Sequence, residues 1–323
     1  MERKEEATKK RMSKPLRMIL KSLAAVAIAI LLFIAVVFIV DKISSKIEQG
    51  KIQSYGQFVP VDGKKMNVLI QGKGDETVVL LPGYGTAAPA LDFKGLIEGL
   101  SPYFRVVAIE PFGYGLSDLT DKERNTDNIV SEIHEALQQL NIDCYTLMGH
   151  SIAGIYGMAY VNKYPDEVRA FAGIDSSVPT QAGMDVEFPI TTFKLLKQSG
   201  FGRLMLKLGS DPYAGLPFDE ETKEQMRMIT LKNMYNESTL NELGNISSNF
   251  KGAGHSTFPK ELPLILFVDA GNTSNEGWIP LHEEQVKNSV QGKMVTLEGG
   301  HYLHHLRSKE IAENFRQFMQ EIK

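Results

Sequence analysis

Leu23 to Val40 reads LAAVAIAILLFIAVVFIV, a run of eighteen residues without one polar side chain. Apolarity on every face leaves such a helix nowhere to rest on the surface of a globular domain. With the neighbouring Met18-Ile19-Leu20, and a rise of about 1.5 Å per residue, the run is long enough to cross a hydrocarbon core of about 30 Å. Each Leu, Ile, Val or Phe near the centre favours insertion by about 0.3–0.6 kcal/mol, so no partner helix is needed. A cleaved signal peptide has a shorter apolar core, about 7–15 residues, and a small-x-small site after it. Here DKISSKIEQG follows, offering Ser44-Ser45 but no Ala-x-Ala.

Residues 1–21 carry eight Lys or Arg and three Glu. A basic flank of this kind holds the N-terminus in the cytoplasm. The sequence therefore predicts a basic cytoplasmic tail over 1–21 and a single-pass signal anchor over 22–41. The anchor would sit in the cell membrane with the body of the chain extracytoplasmic. Residues 41–52 are polar and charged and read as a short tether. The chain is acidic overall, at −4, despite its basic tail, so the body is more acidic still. That argues against nucleic acid as a partner, because phosphate neutralisation needs a basic face. One cysteine, Cys144, rules out an intramolecular disulfide and any cysteine-rich zinc pattern. Its place at the start of an apolar strand predicts a packed thiol.

Beyond the tether, apolar runs alternate with helical patterns. YGQFVPVDGKKMNVLIQG reads as a hairpin about Asp62-Gly63. ETVVLLPGYG and FRVVAIEPFGYGLSD read as strands with glycine-rich exits, and NTDNIVSEIHEALQQLNI as a helix capped by Asn125 or Thr126. CYTLMGHS is a strand, IAGIYGMAYVNKYP a helix, and VRAFAGIDSS a sixth strand. From about 178 to 258 the chain is helical in flavour and rich in Met, Phe and Leu. The alternation then resumes with LPLILFVDA, a helix near Pro280–Asn288, GKMVTLEGGH and a closing helix. This order predicts an α/β domain over 52–323: a mostly parallel sheet, helices on both faces, and a helical cap inserted after the sixth strand. Active loops in such sheets gather beyond the carboxyl ends of the strands.

YTLMGHSIAG, Tyr145 to Gly154, places a serine where an apolar strand turns sharply into a small-residue helix. Such a turn projects the serine Oγ out of the sheet and aims backbone N–H groups at a reacting carbonyl. The crowding requires small residues two before and two after the serine, and these are Gly149 and Ala153. On these residues the chain resembles the α/β-hydrolase family over about 52–323, with Ala153 where the family usually has Gly. The resemblance implies Ser151 as nucleophile and the Ile152 N–H as half of an oxyanion hole. The other half would come from the loop after the third strand. There Pro82-Gly83-Tyr84-Gly85 departs from the usual His-Gly-x but still offers the Tyr84 N–H. Glu110–Asp118 resembles the family's architectural Asp-x-x-Gly-x-Gly-x-Ser strand exit.

The family position for the base, after the last strand, falls on His301 in LEGGHYLHH. His304 and His305 follow closely, but no carboxylate or cysteine of ligand spacing accompanies them, so no metal is expected. His150 reads as packing. The orienting acid has three candidates: Asp175 at the end of the sixth strand, as in one type of haloalkane dehalogenase, Glu276, and Asp269. Asp175 is favoured.

A serine at the elbow is incompatible with the dehalogenase and epoxide-hydrolase branches, which need Asp there. The resemblance then implies a cofactor-free serine hydrolase of the carboxylesterase or lipase kind, acting on a small-molecule or lipid-like acyl substrate. An aminopeptidase of prolyl-iminopeptidase type is the alternative, with Asp185, Glu187, Asp219 and Glu220 available to bind an amine. A non-catalytic binding module on the same scaffold is a third reading.

Overall fold

The computed structural model describes residues 13–273 and 275–322. Most of the expected tail, 1–12, lies outside the described residues. Helix α1 (Lys14–Gln49) contains the whole apolar run. Most of its large apolar side chains are exposed, among them Leu31, Leu32 and Phe33. The polar stretch that reads as a tether from residue 41 is instead helical through Gln49. The reason lies in spacing: Asp41, Ser45 and Glu48 fall on one helical face and all meet Arg203.

A hairpin follows, β1 (Gln57–Val61) and β2 (Lys64–Gln71), turning at Asp62-Gly63. Next come β3 (Thr77–Leu81), the short helices α2 (Pro89–Asp92) and α3 (Lys94–Leu100), and β4 (Arg105–Glu110). Helix α4 (Thr126–Gln139) starts where the Asn125 side chain accepts the Asn128 N–H at 2.9 Å, as its N-cap role predicts. Then β5 (Tyr145–His150), α5 (Ala153–Lys163) and β6 (Val168–Ile174) complete the first part. Between β6 and the next strand lie α6 (Ile190–Ser199), α7 (Phe201–Leu208), α8 (Glu220–Asn233) and α9 (Glu237–Ala253). The chain closes with β7 (Leu264–Asp269), α10 (Trp278–Asn288), β8 (Gly292–Leu297), α11 (Leu303–Leu306) and α12 (Ser308–Glu321).

The strands form one sheet in the order β1-β2-β4-β3-β5-β6-β7-β8. β1 and β2 pair antiparallel, β2 joins β4 antiparallel, and every pair from β4 to β8 is parallel. A parallel sheet needs cover on both faces, and period-two alternation supplies it. In β3, Val79 and Leu81 enter the core under α4 and α5, while Val78 and Leu80 enter the one under α3 and α12. Each fully buried side chain of this size stabilises the fold by about 1.5–3 kcal/mol. Helix α9 lies on α5 and adds Ile246 and Phe250 to the first core. Cys144 does not pack: it is exposed, because β5 begins only at Tyr145 and the residue before it lies in the solvent-facing turn.

Candidate active site

The site stands at the carboxyl ends of neighbouring parallel strands. Ser151 follows β5, Asp175 follows β6, and His301 follows β8 after Gly299-Gly300. Ser151 has φ 55° and Asp175 φ 41°, left-handed values unusual for residues with a Cβ. At Ser151 this conformation turns strand into helix. Gly149 suits that turn, because a Cβ on it would crowd the Ala153 Cβ at 3.0 Å and the Ala153 carbonyl oxygen at 3.1 Å. The same contact explains why Ala is accommodated two residues after the serine: its methyl group faces a residue with none.

His301 Nε2 lies 2.9 Å from Ser151 Oγ, and its Nδ1 lies 2.7 Å from Asp175 Oδ2. A carboxylate only accepts, so Asp175 holds the ring proton on Nδ1 and leaves Nε2 free to accept from the serine hydroxyl. Asp175 is wholly buried, while the His301 ring is open to the cleft. The second oxygen of Asp175 accepts the Trp278 indole N–H at 2.7 Å and the Asp269 backbone N–H at 3.0 Å. The structure thus brings Ser151, His301 and Asp175 together. Neither of the other acid candidates reaches the ring. Glu276 is exposed, and Asp269 Oδ1 instead accepts the N–H groups of Gly300 at 3.0 Å and Gly299 at 3.4 Å, holding the turn that presents His301.

Tyr84 and Ile152 flank Ser151 along the cleft. Neither residue's backbone N–H is taken by a protein acceptor among the described residues. The cleft has a volume of about 530 Å³. Its apolar lining includes Met184, Phe188, Ile246 and Phe250 from the segment between β6 and β7.

His150 does more than fill space. It is buried, which pushes its pKa well below the ordinary value and keeps the ring neutral. Its Nε2–H donates to the His301 carbonyl oxygen at 3.0 Å. His304 and His305 gather on Asp92, which lies more than two hundred residues away in sequence, at 2.7 and 2.8 Å. This is the carboxylate that local spacing did not reveal, and the three donor atoms lie within 4.8 Å of one another. Each imidazole faces its own carboxylate oxygen through Nε2, while the buried Nδ1 of His304 has no hydrogen-bond partner among the described residues. Burial alone would raise the Asp92 carboxyl, but the two rings outweigh it and hold it below the usual carboxylate range. Burial pushes His304 down, consistent with a neutral N–H donor.

Trp278, the turn-holding part of Asp269 and the bond from His150 to His301 were not legible in the sequence. The lone tryptophan gave no periodic or motif signal, and the other two depend on strands far apart in the chain. Glu110 matches its architectural reading. Buried, it accepts from Tyr55 Oη at 2.8 Å, Asn67 Nδ2 at 2.9 Å, and the N–H groups of Leu116 and Ala90 at 2.8 and 3.2 Å.

Comparison with known proteins agrees with this fold. A family model describing the alpha/beta hydrolase fold matches residues 76–243. The chain is 33% identical over 272 residues to an uncharacterized protein of Bacillus subtilis (strain 168), YbdG, covering 81% of this chain and 82% of that one. It is 26% identical over 180 residues to 2-hydroxy-6-oxo-6-(2'-aminophenyl)hexa-2,4-dienoic acid hydrolase of Metapseudomonas resinovorans, covering 54% of this chain and 59% of that protein. Among solved structures, the epoxide hydrolase VrEH1 of Vigna radiata superposes with a TM-score of 0.63 at 18% identity, over 82% of this chain and 97% of that one. That identity speaks for a shared fold alone. An eight-stranded, mostly parallel sheet, a serine in the turn after β5 and a family match over half the chain lead to one conclusion: this chain belongs to the alpha/beta hydrolase family.

Proposed function

We propose that the protein is a membrane-anchored serine hydrolase that cleaves a carboxylic ester, or an amide, through an acyl-enzyme on Ser151. The observation that carries this reading is the unbroken line from Ser151 Oγ through His301 to Asp175. His301 Nε2 takes the hydroxyl proton as Oγ attacks the substrate carbonyl carbon. The carbonyl oxygen becomes an oxyanion facing the N–H groups of Ile152 and Tyr84, each such donor contributing about 3–4 kcal/mol to the transition state. Asp175 stabilises the imidazolium formed in this step. Collapse expels the alkoxide or amine, which leaves with the proton from Nε2. Water then attacks the acyl carbon by the same route, giving a carboxylic acid and restoring the serine. No step needs a cofactor.

The cleft favours an apolar acyl substrate over an amino-terminal peptide. Among the described residues lining it, the one carboxylate is Asp269, and its Oδ1 is engaged with Gly300. None of Asp185, Glu187, Asp219 and Glu220 lines this cleft, and Asp219 and Glu220 pair with Lys94 and Lys223. The anchor reading is supported by α1, whose apolar window is 6% buried, unlike a core helix. The test of the hydrolase is covalent labelling of the full chain by a fluorophosphonate probe. Wild-type protein labels and Ser151→Ala does not; wild type that stays folded yet unlabelled would favour the binding-module reading.

A further inference from the structure

The carboxyl half of α1 does not stand clear of the domain. Phe33, Val37, Asp41, Ser45 and Glu48 recur at the spacing of one helical face, and that face meets α6 and α7. The Phe33 ring stands edge-on to Phe201 with centroids 6.0 Å apart. Arg203 of α7 reaches back to α1, giving Nε to Asp41 at 2.9 Å, Nη1 to Glu48 at 2.6 Å and Nη2 to Ser45 at 2.7 Å. Gly200, between α6 and α7, has φ 81°, and a Cβ on it would lie 2.6 Å from the Asp41 Cβ. Only glycine allows helices this close.

Depth follows from length. The run Leu23–Val40 spans about 27 Å, slightly less than a hydrocarbon core of about 30 Å. Counting Met18-Ile19-Leu20 as well, the apolar stretch reaches about 34 Å, so Val40 can ride only about 4 Å out of the hydrocarbon core. Phe33 lies seven residues back, about 10 Å toward the centre. Phe201, which touches it, must then lie below the headgroups.

The surrounding surface suits that depth. Residues 190–208 contain Lys194, Lys197, Arg203 and Lys207 and no Asp or Glu, in a chain that is acidic overall. Lys197 is engaged with the carbonyls of Leu231 and Lys232, whereas Lys194 and Lys207 face outward. Beside them Leu195, Met205 and Leu208 are exposed by 59%, 61% and 79%. Apolar side chains rimmed by lysine are the composition of a helix that lies in an anionic membrane surface.

We propose that α6 and α7 form an interfacial membrane element, with Leu195, Met205 and Leu208 entering the leaflet on the catalytic side of the bilayer that α1 crosses. Lys194 and Lys207 face anionic lipid phosphates there. The proposal rests on the anchor reading above. The loop that brings Met184 and Phe188 to the cleft runs directly into α6, so cleft lining and lipid contact share one segment.

The test uses the full chain, with Cys144→Ser, in vesicles of phosphatidylcholine and phosphatidylglycerol containing brominated lipid. Leu31→Cys, Met205→Cys, Leu208→Cys and Glu313→Cys are made singly and labelled with an environment-sensitive fluorophore. Emission at 205 and 208 is expected to shift to the blue and be quenched to a degree approaching that at 31, while 313 is not quenched. Quenching at 31 without quenching at 205 or 208 would overturn this proposal and leave the anchor intact. Absence of quenching at 31 would overturn both. Quenching at 205 and 208 that disappears in pure phosphatidylcholine supports the lysine–phosphate part; quenching unchanged there overturns that part alone.

Discussion

The Trp278 indole N–H donates to Asp175 Oδ1 at 2.7 Å, on the oxygen opposite the one that meets His301. The Asp175 carboxylate is thereby held from both sides, and its plane is fixed relative to the imidazole. A hydrogen bond to a buried carboxylate contributes about 1.5–3 kcal/mol. Trp278→Phe keeps the ring and removes the donor. It is expected to lower kcat by about 10–100-fold with little change in KM. Steady-state hydrolysis of a p-nitrophenyl ester checks this; a change in KM alone would assign Trp278 to substrate binding.

On the proposed mechanism, in which Ser151 and His301 act as one unit, Ser151→Ala is expected to lower kcat by about 10⁶-fold. Asp175→Asn, which permits the wrong imidazole tautomer, is expected to cost about 10⁴-fold. Glu276→Gln is expected to match wild type, since its side chain is exposed and does not reach His301. Comparable losses for Glu276→Gln and Asp175→Asn would move the acid.

Asp269 supports His301 through the glycine turn. Asp269→Ala leaves the Gly300 N–H without its acceptor and is expected to destabilise the protein by about 1–3 kcal/mol. Its activity at low temperature is expected to fall far less than that of Asp175→Asn. Thermal unfolding alongside ester turnover separates the two effects: a large catalytic loss at unchanged stability would make Asp269 the acid.

Burial raises the Glu110 carboxyl above its ordinary value, with its four donors only partly opposing that effect. The folded state therefore binds a proton that the unfolded chain has already released. The contribution to stability is complete below the unfolded pKa and is lost as pH rises through the folded one. Glu110→Gln carries no such titration. Its stability relative to wild type is expected to improve steadily as pH rises from the ordinary glutamate range toward neutrality. Unfolding of both proteins in detergent across that range measures the difference; a constant offset would mean that Glu110 is ionised throughout.

The sequence carried most of the sheet and the elbow, because both are local: β3 and β5 are short apolar runs, and the serine turn needs only its immediate neighbours. His301 was legible for the same reason, following the last strand through a Gly-Gly turn. The acid remained open among three residues because that choice depends on how β6 and β7 lie side by side, and Asp175 and Asp269 end those two neighbouring strands. Asp92 was hidden as a partner for His304 and His305 by sheer distance along the chain. Residues 41–49 are polar without being a loop, because Asp41, Ser45 and Glu48 meet Arg203 from one face of a helix.

The left-handed backbone at both Ser151 and Asp175 has a consequence for descent as well as for chemistry. Glycine would relax each position, where a side chain costs roughly 1–3 kcal/mol, yet glycine brings neither hydroxyl nor carboxylate. Selection for turnover and selection for robustness thus pull these two codons in opposite directions. If the proposed hydrolysis holds, a lineage of this protein that had abandoned it would be expected to drift to glycine or asparagine at both sites.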